Sequence, residues 1–121
     1  MGAKPFENLT IGNNVYLGHN IILDLTSNVS IKDKVAIGGR TQIWTHAGYY
    51  QEDDCNQPVY KEDKGAVTIN KGTIIYSNSV ISHSIIIGEF VKVGASSLVV
   101  KNVENHMFVG GIPAKTINKN G

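Results

Sequence analysis

The stretch 69–104, INKGTIIYSNSVISHSIIIGEFVKVGASSLVVKNVE, decides the fold, because an aliphatic residue returns at every sixth position. The returning residues are Ile69, Ile75, Ile81, Ile87, Val93 and Val99. In an α-helix, at about 100° per residue, a six-residue step scatters side chains over all faces. In an extended chain, six is a multiple of the two-residue side-chain period, so these residues point the same way. The stretch therefore predicts an all-β fold, a parallel β-helix whose short strands are joined by corners.

The same six-residue step runs through the first part of the chain. It is carried by Ile11, Leu17 and Leu23, and then, after one interval of eight, by Ile31, Ile37 and Ile43. The two extra residues predict a bulge at a corner within 23–30. Twelve steps with three strands per turn predict four coils.

Two further positions recur within each hexad. A second inward position is predicted for small or β-branched residues, namely Val15, Ile21, Val35, Thr41, Ala47, Thr73, Ser79, Ile85, Val91, Ser97 and Val103. Glycine follows the aliphatic residue at Gly12, Gly18, Gly38, Gly88 and Gly94. Glycine there allows either a positive φ at a corner or the close approach of another backbone or ligand.

Two segments interrupt the repeat. Between about residues 48 and 66 the period is lost and the sequence is polar, which predicts a protruding surface loop. After Val103 the repeat stops, and residues from about 105 to 121 are expected to cap the last coil. The 121 residues are otherwise expected to form a single domain, 1–121.

Composition excludes several classes of function. Eleven Lys and Arg residues balance ten Asp and Glu residues, so nothing in the net charge of +1 favours nucleic acid or an anionic membrane. There is no apolar run of membrane-spanning length and no apolar stretch typical of a signal peptide at the N-terminus, so a cytoplasmic location is expected. The single Cys55 excludes an internal disulfide and is expected to be an incidental thiol.

The hexads with their glycines, the Thr45–His46 pair before the loop and the tail segment GGIPAKTI (residues 110–117) together resemble the hexapeptide-repeat acyltransferases. Within that superfamily the chain is similar to the sugar and antibiotic O-acetyltransferases. The resemblance implies a left-handed parallel β-helix, a homotrimer, and transfer of an acetyl group from acetyl-CoA to a hydroxyl of a sugar or glycan precursor. It implies no resident metal.

The resemblance also implies the site residues. His46, at the end of the strand that leads into the loop, falls at the place of the family's catalytic base. An imidazole suits that role, because an acceptor hydroxyl keeps its proton at neutral pH and needs a base in the transition state. Ser77 and Ala95 fall at positions of the family's pantetheine groove, and Lys115 falls where a basic residue meets the nucleotide phosphates.

The acceptor side is less closely defined by the motifs. Asp24 aligns near the acidic residue that binds the acceptor in the family. A role for Asp24 in stabilising a corner is at least as well supported. Trp44 beside His46 is a candidate for lining the acceptor site, and a contact in the trimer is the alternative.

Two other functions remain open from the sequence. The chain can be a non-catalytic trimeric β-helix used for assembly. His19, His83 and His106 can also join His46 as zinc ligands, as in the γ-type carbonic anhydrases that share this solenoid, although no two histidines here are closely spaced.

Overall fold

The computed structural model describes residues 7–117, and these form only strands, corners and turns. The strands are β1 (Leu9–Ile11), β2 (Tyr16–Leu17), β3 (Ile22–Leu23), β4 (Val29–Ile31), β5 (Ala36–Ile37), β6 (Gln42–Ile43), β7 (His46–Glu52), β8 (Pro58–Lys64), β9 (Val67–Ile69), β10 (Ile74–Ile75), β11 (Val80–Ile81), β12 (Ile85–Ile87), β13 (Lys92–Val93), β14 (Leu98–Val99), β15 (Phe108–Gly111) and β16 (Ala114–Thr116). Within residues 7–117 no helix is long and apolar enough to span a membrane.

Three sheets form the sides of a triangular prism. Sheet A has the order β1-β4-β9-β12, sheet B has the order β2-β5-β10-β13-β15-β16, and sheet C has the order β3-β6-β11-β14. The strand pairs are parallel except for β15 with β16. Each turn of the chain gives one strand to each sheet, so β1–β3, β4–β6, β9–β11 and β12–β14 are four coils. The predicted parallel β-helix and its four coils are confirmed. We name its edges A–B, B–C and C–A after the sheets that they join.

The repeating aliphatic residues fill the axis of the prism. On sheet A, for example, Ile31, Ile69 and Ile87 lie in register, and none of the three has any exposed surface. Thr41, Thr73, Ser79 and Ser97 are also buried at the second inward position, where hydroxyl groups such as that of Thr73 donate hydrogen bonds to backbone carbonyls. Ile11 and Leu17 of the first coil remain partly exposed at the end of the stack.

The corners turn through a left-handed backbone conformation. φ lies between 53° and 76° at the third residue after the inward aliphatic residue, as seen at Asn14, Asn20, Lys34, Arg40, Gly72, Asn78, Ser84, Phe90 and Ser96. Asparagine tolerates this conformation better than most residues, whereas Phe90 is an unusual occupant. The left-handed position is therefore three residues after the aliphatic residue, and it is mostly not glycine.

The glycines that directly follow the aliphatic residues serve close contact between coils. A Cβ at Gly38 would lie 2.5 Å from the backbone nitrogen of Ser77 in the next coil, and a Cβ at Gly18 would collide with the backbone of Gly39. Of the two explanations open from the sequence, close backbone approach is right for these positions. Gly94 is an exception, because a Cβ there would meet no atom of another residue closer than 3.6 Å.

The repeat is broken twice, and both breaks lie on edge C–A. Five residues, Asp24 to Asn28, join β3 to β4, whereas three residues, Ser82 to Ser84, join β11 to β12. The predicted two-residue bulge is thus confirmed. The second break is a hairpin of β7 and β8, paired from His46 opposite Lys64 to Glu52 opposite Pro58.

One inward residue was wrongly predicted. Ala47 is exposed in β7, because the chain turns outward into the hairpin at His46 and carries the next residue away from the axis. Thr45 and Val67, which flank the hairpin, are fully buried in its place.

The two glycines of edge B–C give a matched test of coil spacing. Gly38→Ala should destabilise the fold by about 1–3 kcal/mol, because the added methyl group must push two stacked backbones apart. Gly94→Ala should leave the free energy of unfolding unchanged or slightly higher, because the site has room and the unfolded chain loses freedom. Urea unfolding of both variants measures the difference. Equal stability of the two variants would contradict the role of Gly38 in spacing the coils.

Candidate active site

The two breaks in the repeat bring Asp24 and His46 together. Leu23 pairs with Ile43 in sheet C, and the backbone nitrogen of Asp24 donates to the carbonyl of Ile43 at 2.9 Å. The bulge of the first coil therefore lies directly against the corner at which the second coil enters the hairpin. Asp24 is the first residue of the bulge, and His46 is the first residue of the hairpin.

Asp24 accepts hydrogen bonds through both carboxylate oxygens. Oδ1 accepts from the backbone nitrogen and the hydroxyl of Thr26 at 3.2 and 2.7 Å. Oδ2 accepts from the backbone nitrogen and the hydroxyl of Thr45 at 2.8 and 3.1 Å, and from Nδ1 of His46 at 2.6 Å. Burial alone would raise the pKa of Asp24, but the hydrogen bonds from Thr45, Thr26 and His46 outweigh it and hold this pKa well below its usual range.

The carboxylate determines which nitrogen of His46 carries the proton. An ionised carboxylate can only accept, so Nδ1 of His46 donates to Asp24 and the neutral ring has its free lone pair on Nε2. The side chain of His46 is 32% exposed, whereas that of Asp24 is 9% exposed. The ring is thus oriented from behind by a partly buried anion, an arrangement that suits a general base.

The described contacts of Asp24 are those of a residue that stabilises a corner and orients a histidine. Its carboxylate joins the bulge of the first coil to Thr45 and His46 of the second. The predicted acceptor-binding role of Asp24 stays a prediction.

Trp44 lies on the outer side of sheet C, close to the same edge. It is half-buried, and its indole nitrogen donates to Oε1 of Gln42 at 3.0 Å. Its predicted place beside the acceptor stays a prediction.

Ser77 and Ala95 lie on edge B–C, not on edge C–A. Both are exposed and stacked in successive coils, where the backbone nitrogen of Ser96 donates to the carbonyl of Ser77 at 3.0 Å. Sheet C separates them from His46. One chain therefore carries the predicted base and the predicted groove residues on two different edges.

Lys115 lies in β16, where it pairs with Gly110, and its side chain is exposed. It borders a cavity of about 450 Å³ at the C-terminal end of the prism, with Lys101, Val103 and Met107 among the other lining residues. The predicted cap thus includes β15 and β16, while its last residues, 118–121, lie outside the described part.

The four histidines are distributed over all three edges. His19 lies on edge B–C, and His83 and His46 lie on edge C–A. His106 lies on edge A–B, three residues after Val103, which forms a parallel bridge to Ile87 of sheet A. Within residues 7–117 of one chain, no three His, Cys, Asp or Glu side chains come together as metal ligands would. The single chain does not assemble the zinc site that remained open from the sequence.

Comparison with known proteins supports the fold and the resemblance to acyltransferases. No family model matches the sequence. A serine acetyltransferase of Bacillus pumilus is 28% identical over 120 residues, which are 99% of this chain and 50% of that protein. The dTDP-4-amino-4,6-dideoxy-D-glucose acyltransferase of Escherichia coli is 31% identical over 96 residues, which are 75% of this chain and 50% of that protein.

A solved structure also relates the chain to an acetyltransferase. The hexapeptide-repeat acetyltransferase of Vibrio cholerae in complex with acetyl coenzyme A matches with a TM-score of 0.83 and 26% identity, over 93% of this chain and 60% of that one. The left-handed parallel β-helix implied by the resemblance is confirmed by this match. These matches support the resemblance to the hexapeptide-repeat acyltransferases that the sequence indicates. The chain spans about half the length of the first two curated relatives that it matches.

Sequence reasoning missed the threonines of the site and the order within the loop. Thr26 and Thr45 complete the shell of Asp24, and their positions beside the two breaks were the available signal. The loop forms two regular strands, and the Tyr and Val residues on either side of the turn-forming DDCNQ (residues 53–57) were a hairpin signal.

Asp24→Asn tests the electrostatic role of the carboxylate. An amide has one acceptor oxygen, so it must leave either the Thr26 bonds or the Thr45 and His46 bonds unmade, and a loss of about 1–3 kcal/mol at pH 7 is expected. Because the folded-state pKa of Asp24 is lowered, its stabilisation is complete above the unfolded value of about 3.9 and is lost as the pH falls further. Urea unfolding should show the gap between wild type and variant closing below about pH 4. A constant gap from pH 7 to 3 would contradict this role.

Proposed function

We propose that the protein is an acetyltransferase that moves the acetyl group of acetyl-CoA to a hydroxyl of a sugar or glycan precursor, with His46 as general base. The observation that carries the proposal is the hydrogen bond from Nδ1 of His46 to Asp24, which leaves Nε2 free on a partly exposed edge. The similarity of the chain to known acetyltransferases supports the same reaction.

The proposed reaction needs only one proton shuttle. Nε2 of His46 takes the proton of the acceptor hydroxyl as its oxygen attacks the thioester carbonyl carbon. Asp24 stabilises the imidazolium that forms, because it is ionised and bonded to the opposite nitrogen. The carbon–sulfur bond of the tetrahedral intermediate then breaks, and the proton on Nε2 goes to the leaving thiolate of coenzyme A. The products are an acetyl ester and free coenzyme A, and His46 is neutral again.

The acceptor class is supported by one curated relative. The protein of Escherichia coli acts, by its name, on an amino sugar carried by a nucleotide, whereas that of Bacillus pumilus is a serine acetyltransferase. We assign a hydroxyl acceptor on a sugar, and with it a place in glycan synthesis in the cytoplasm. Asp24 and Trp44 are the candidate contacts on this side.

We propose that three copies complete the site. Sheet C has apolar outward side chains at three of four positions, Ile22, Val80 and Leu98, with Gln42 as the polar one. Sheet A has polar outward side chains at Thr10, Ser30 and Thr68, with Ile86 as the apolar one. If the three C sheets face a threefold axis, edge C–A of each copy meets edge B–C of the next, and the ring closes.

This trimer would place His46 of one copy beside Ser77 and Ala95 of its neighbour. The acyl arm of the cosubstrate would lie between the two edges, and Lys115 would meet its phosphates as a point charge.

Replacement of the imidazole tests the chemistry. His46→Ala should lower kcat for acetyl transfer by about 10²–10⁴-fold, because the attacking hydroxyl loses its base. The Kd of coenzyme A, measured by calorimetry, should change little, since the variant keeps both edges. The release of coenzyme A from acetyl-CoA in the presence of maltose, a galactoside or L-serine measures the rate. Equal rates in wild type and variant would remove His46 from the mechanism, and a wild type that binds no coenzyme A would favour an assembly module.

The proposed trimer is tested by placing a charge on the outer side of sheet C. Val80→Glu puts a carboxylate in the centre of the outer side of sheet C, and this variant should sediment as a monomer and lose coenzyme A binding. Thr68→Glu changes the outer side of sheet A in the same way and should keep three times the chain mass of 13.1 kDa. A wild type that sediments as a monomer and still binds coenzyme A would contradict the shared site.

A further inference from the structure

The hairpin that starts at His46 has one face directed to the same side as this residue. Directly opposed residues of an antiparallel pair have their side chains on the same face. The pairs of His46 with Lys64, Gly48 with Glu62 and Tyr50 with Tyr60 therefore share one side of β7 and β8. We call this side the His46 face. Tyr49, Lys61 and Asp63 project from the opposite side.

Gly48 lets Tyr60 lean back toward the base of the hairpin. A Cβ at position 48 would collide with the hydroxyl and ring of Tyr60, so the phenol occupies the space that any other side chain would fill. Tyr60 packs edge-on against Tyr50 with ring centroids 5.6 Å apart. Tyr60 and Tyr50 are nevertheless 54% and 71% exposed as residues, so aromatic surface is available to a ligand.

A line of polar groups joins this aromatic pair to the base of the hairpin. The hydroxyl of Tyr60 donates to Oε2 of Glu62 at 3.3 Å, and Nζ of Lys64 lies 3.4 Å from Oε1 of the same carboxylate. Lys64 is directly opposite His46. Desolvation, the charge and hydrogen bond of Glu62, and the neighbouring Tyr50 raise the pKa of Tyr60, so the phenol keeps its proton.

We infer that the His46 face binds the acceptor as a polyhydroxylated ring, with Tyr60 and Tyr50 against its apolar C–H surface and with Glu62 and Lys64 on its hydroxyls. The inference rests on the proposed function and deepens it by assigning the residues that hold the sugar. Aromatic rings with adjacent donors and acceptors match a sugar, which is apolar on its faces and polar around its rim.

The length of the face distinguishes a sugar from a small amino acid. Each residue of an antiparallel strand advances about 3.4 Å, so the Gly48 pair lies about 7 Å and the Tyr50 pair about 14 Å from the His46 pair. A single amino acid spans about 3.6 Å and cannot reach the tyrosines while its hydroxyl is at His46. A monosaccharide can reach the ring of Tyr60, which leans back over Gly48, and a disaccharide or a sugar nucleotide can extend as far as Tyr50.

Three variants test the face. Tyr60→Ala removes the ring, Gly48→Ala displaces it, and Tyr49→Ala removes an exposed tyrosine of the opposite side as the matched control. With maltose, D-galactose and L-serine as probes, the first two variants should raise the KM for the accepted sugar about tenfold, and Tyr49→Ala should change it less than twofold. The KM for acetyl-CoA should stay within twofold in all three. Circular dichroism checks that each variant keeps its strands.

Saturation-transfer NMR gives a readout that does not depend on turnover. Sugar protons should receive saturation from the wild type and from Tyr49→Ala, and much less from Tyr60→Ala. Equal effects of Tyr60→Ala and Tyr49→Ala on a sugar that the wild type acetylates would overturn the inference while the proposed acetyl transfer stands. Failure of the proposed function is distinct, because the wild type would then acetylate no sugar or bind no coenzyme A.

Discussion

Stacking of each coil on the next through backbone hydrogen bonds is the constraint on which the rest of this structure depends. Gly38 donates to the carbonyl of Ile75 and Tyr76 to that of Val93, at 2.7 and 2.9 Å, and such bonds run along every side of the prism. They form only if each coil repeats the length of the one before it, and the aliphatic residues meet in columns only under the same condition. Edges A–B and B–C obey this rule in the described coils. Edge C–A departs from it twice, and there the chain gathers a carboxylate, two threonines and an imidazole.

The regular packing of the coils thus explains why the candidate active site lies at an irregular edge of the prism. Inward positions are filled by aliphatic and small hydroxyl side chains, which leaves no space for a catalytic group along the axis. The bulge frees Asp24 from the coil repeat, and its carboxylate ties Thr26, Thr45 and His46 into one rigid corner. A partly buried carboxylate that is itself held by two threonines fixes the ring more firmly than a surface residue of an ordinary loop could.

Much of this was predictable from the sequence, for reasons that differ between fold and site. Ile69, Ile75 and Ile81 predict strands and corners because a six-residue period has one simple solution in an extended chain. The positions with left-handed backbone conformation are harder to predict from the sequence. Asn78, Ser84 and Phe90 share their place in the repeat but no common side-chain type. The recurring glycines are evident in the sequence, which leaves open whether they serve a positive φ or a close backbone approach. The short distance from Gly38 to the backbone of Ser77 shows that Gly38 serves close approach.

The pair of Asp24 and His46 was beyond sequence reasoning for a physical reason. The two residues are 22 apart, and their contact depends on the conformations of two irregular corners, which no periodic pattern encodes. The same holds for the hairpin, whose register determines that Tyr60 and not Tyr49 faces the same side as His46. Local signals predict that a strand exists, whereas pairing decides which side chains share a face.

The way in which the hairpin joins the prism has an evolutionary consequence. The backbone nitrogen of Gly65 donates to the carbonyl of Thr45 at 3.0 Å, and that of Ser84 donates to Gly65 at 3.2 Å, so the coil is closed beneath the hairpin as if the chain had never left it. Residues 47–64 can be exchanged, lengthened or shortened without disturbing the stacked coils or His46. Evolution can therefore change the hairpin beyond His46 to suit a new acceptor while the β-helix and His46 are inherited unchanged.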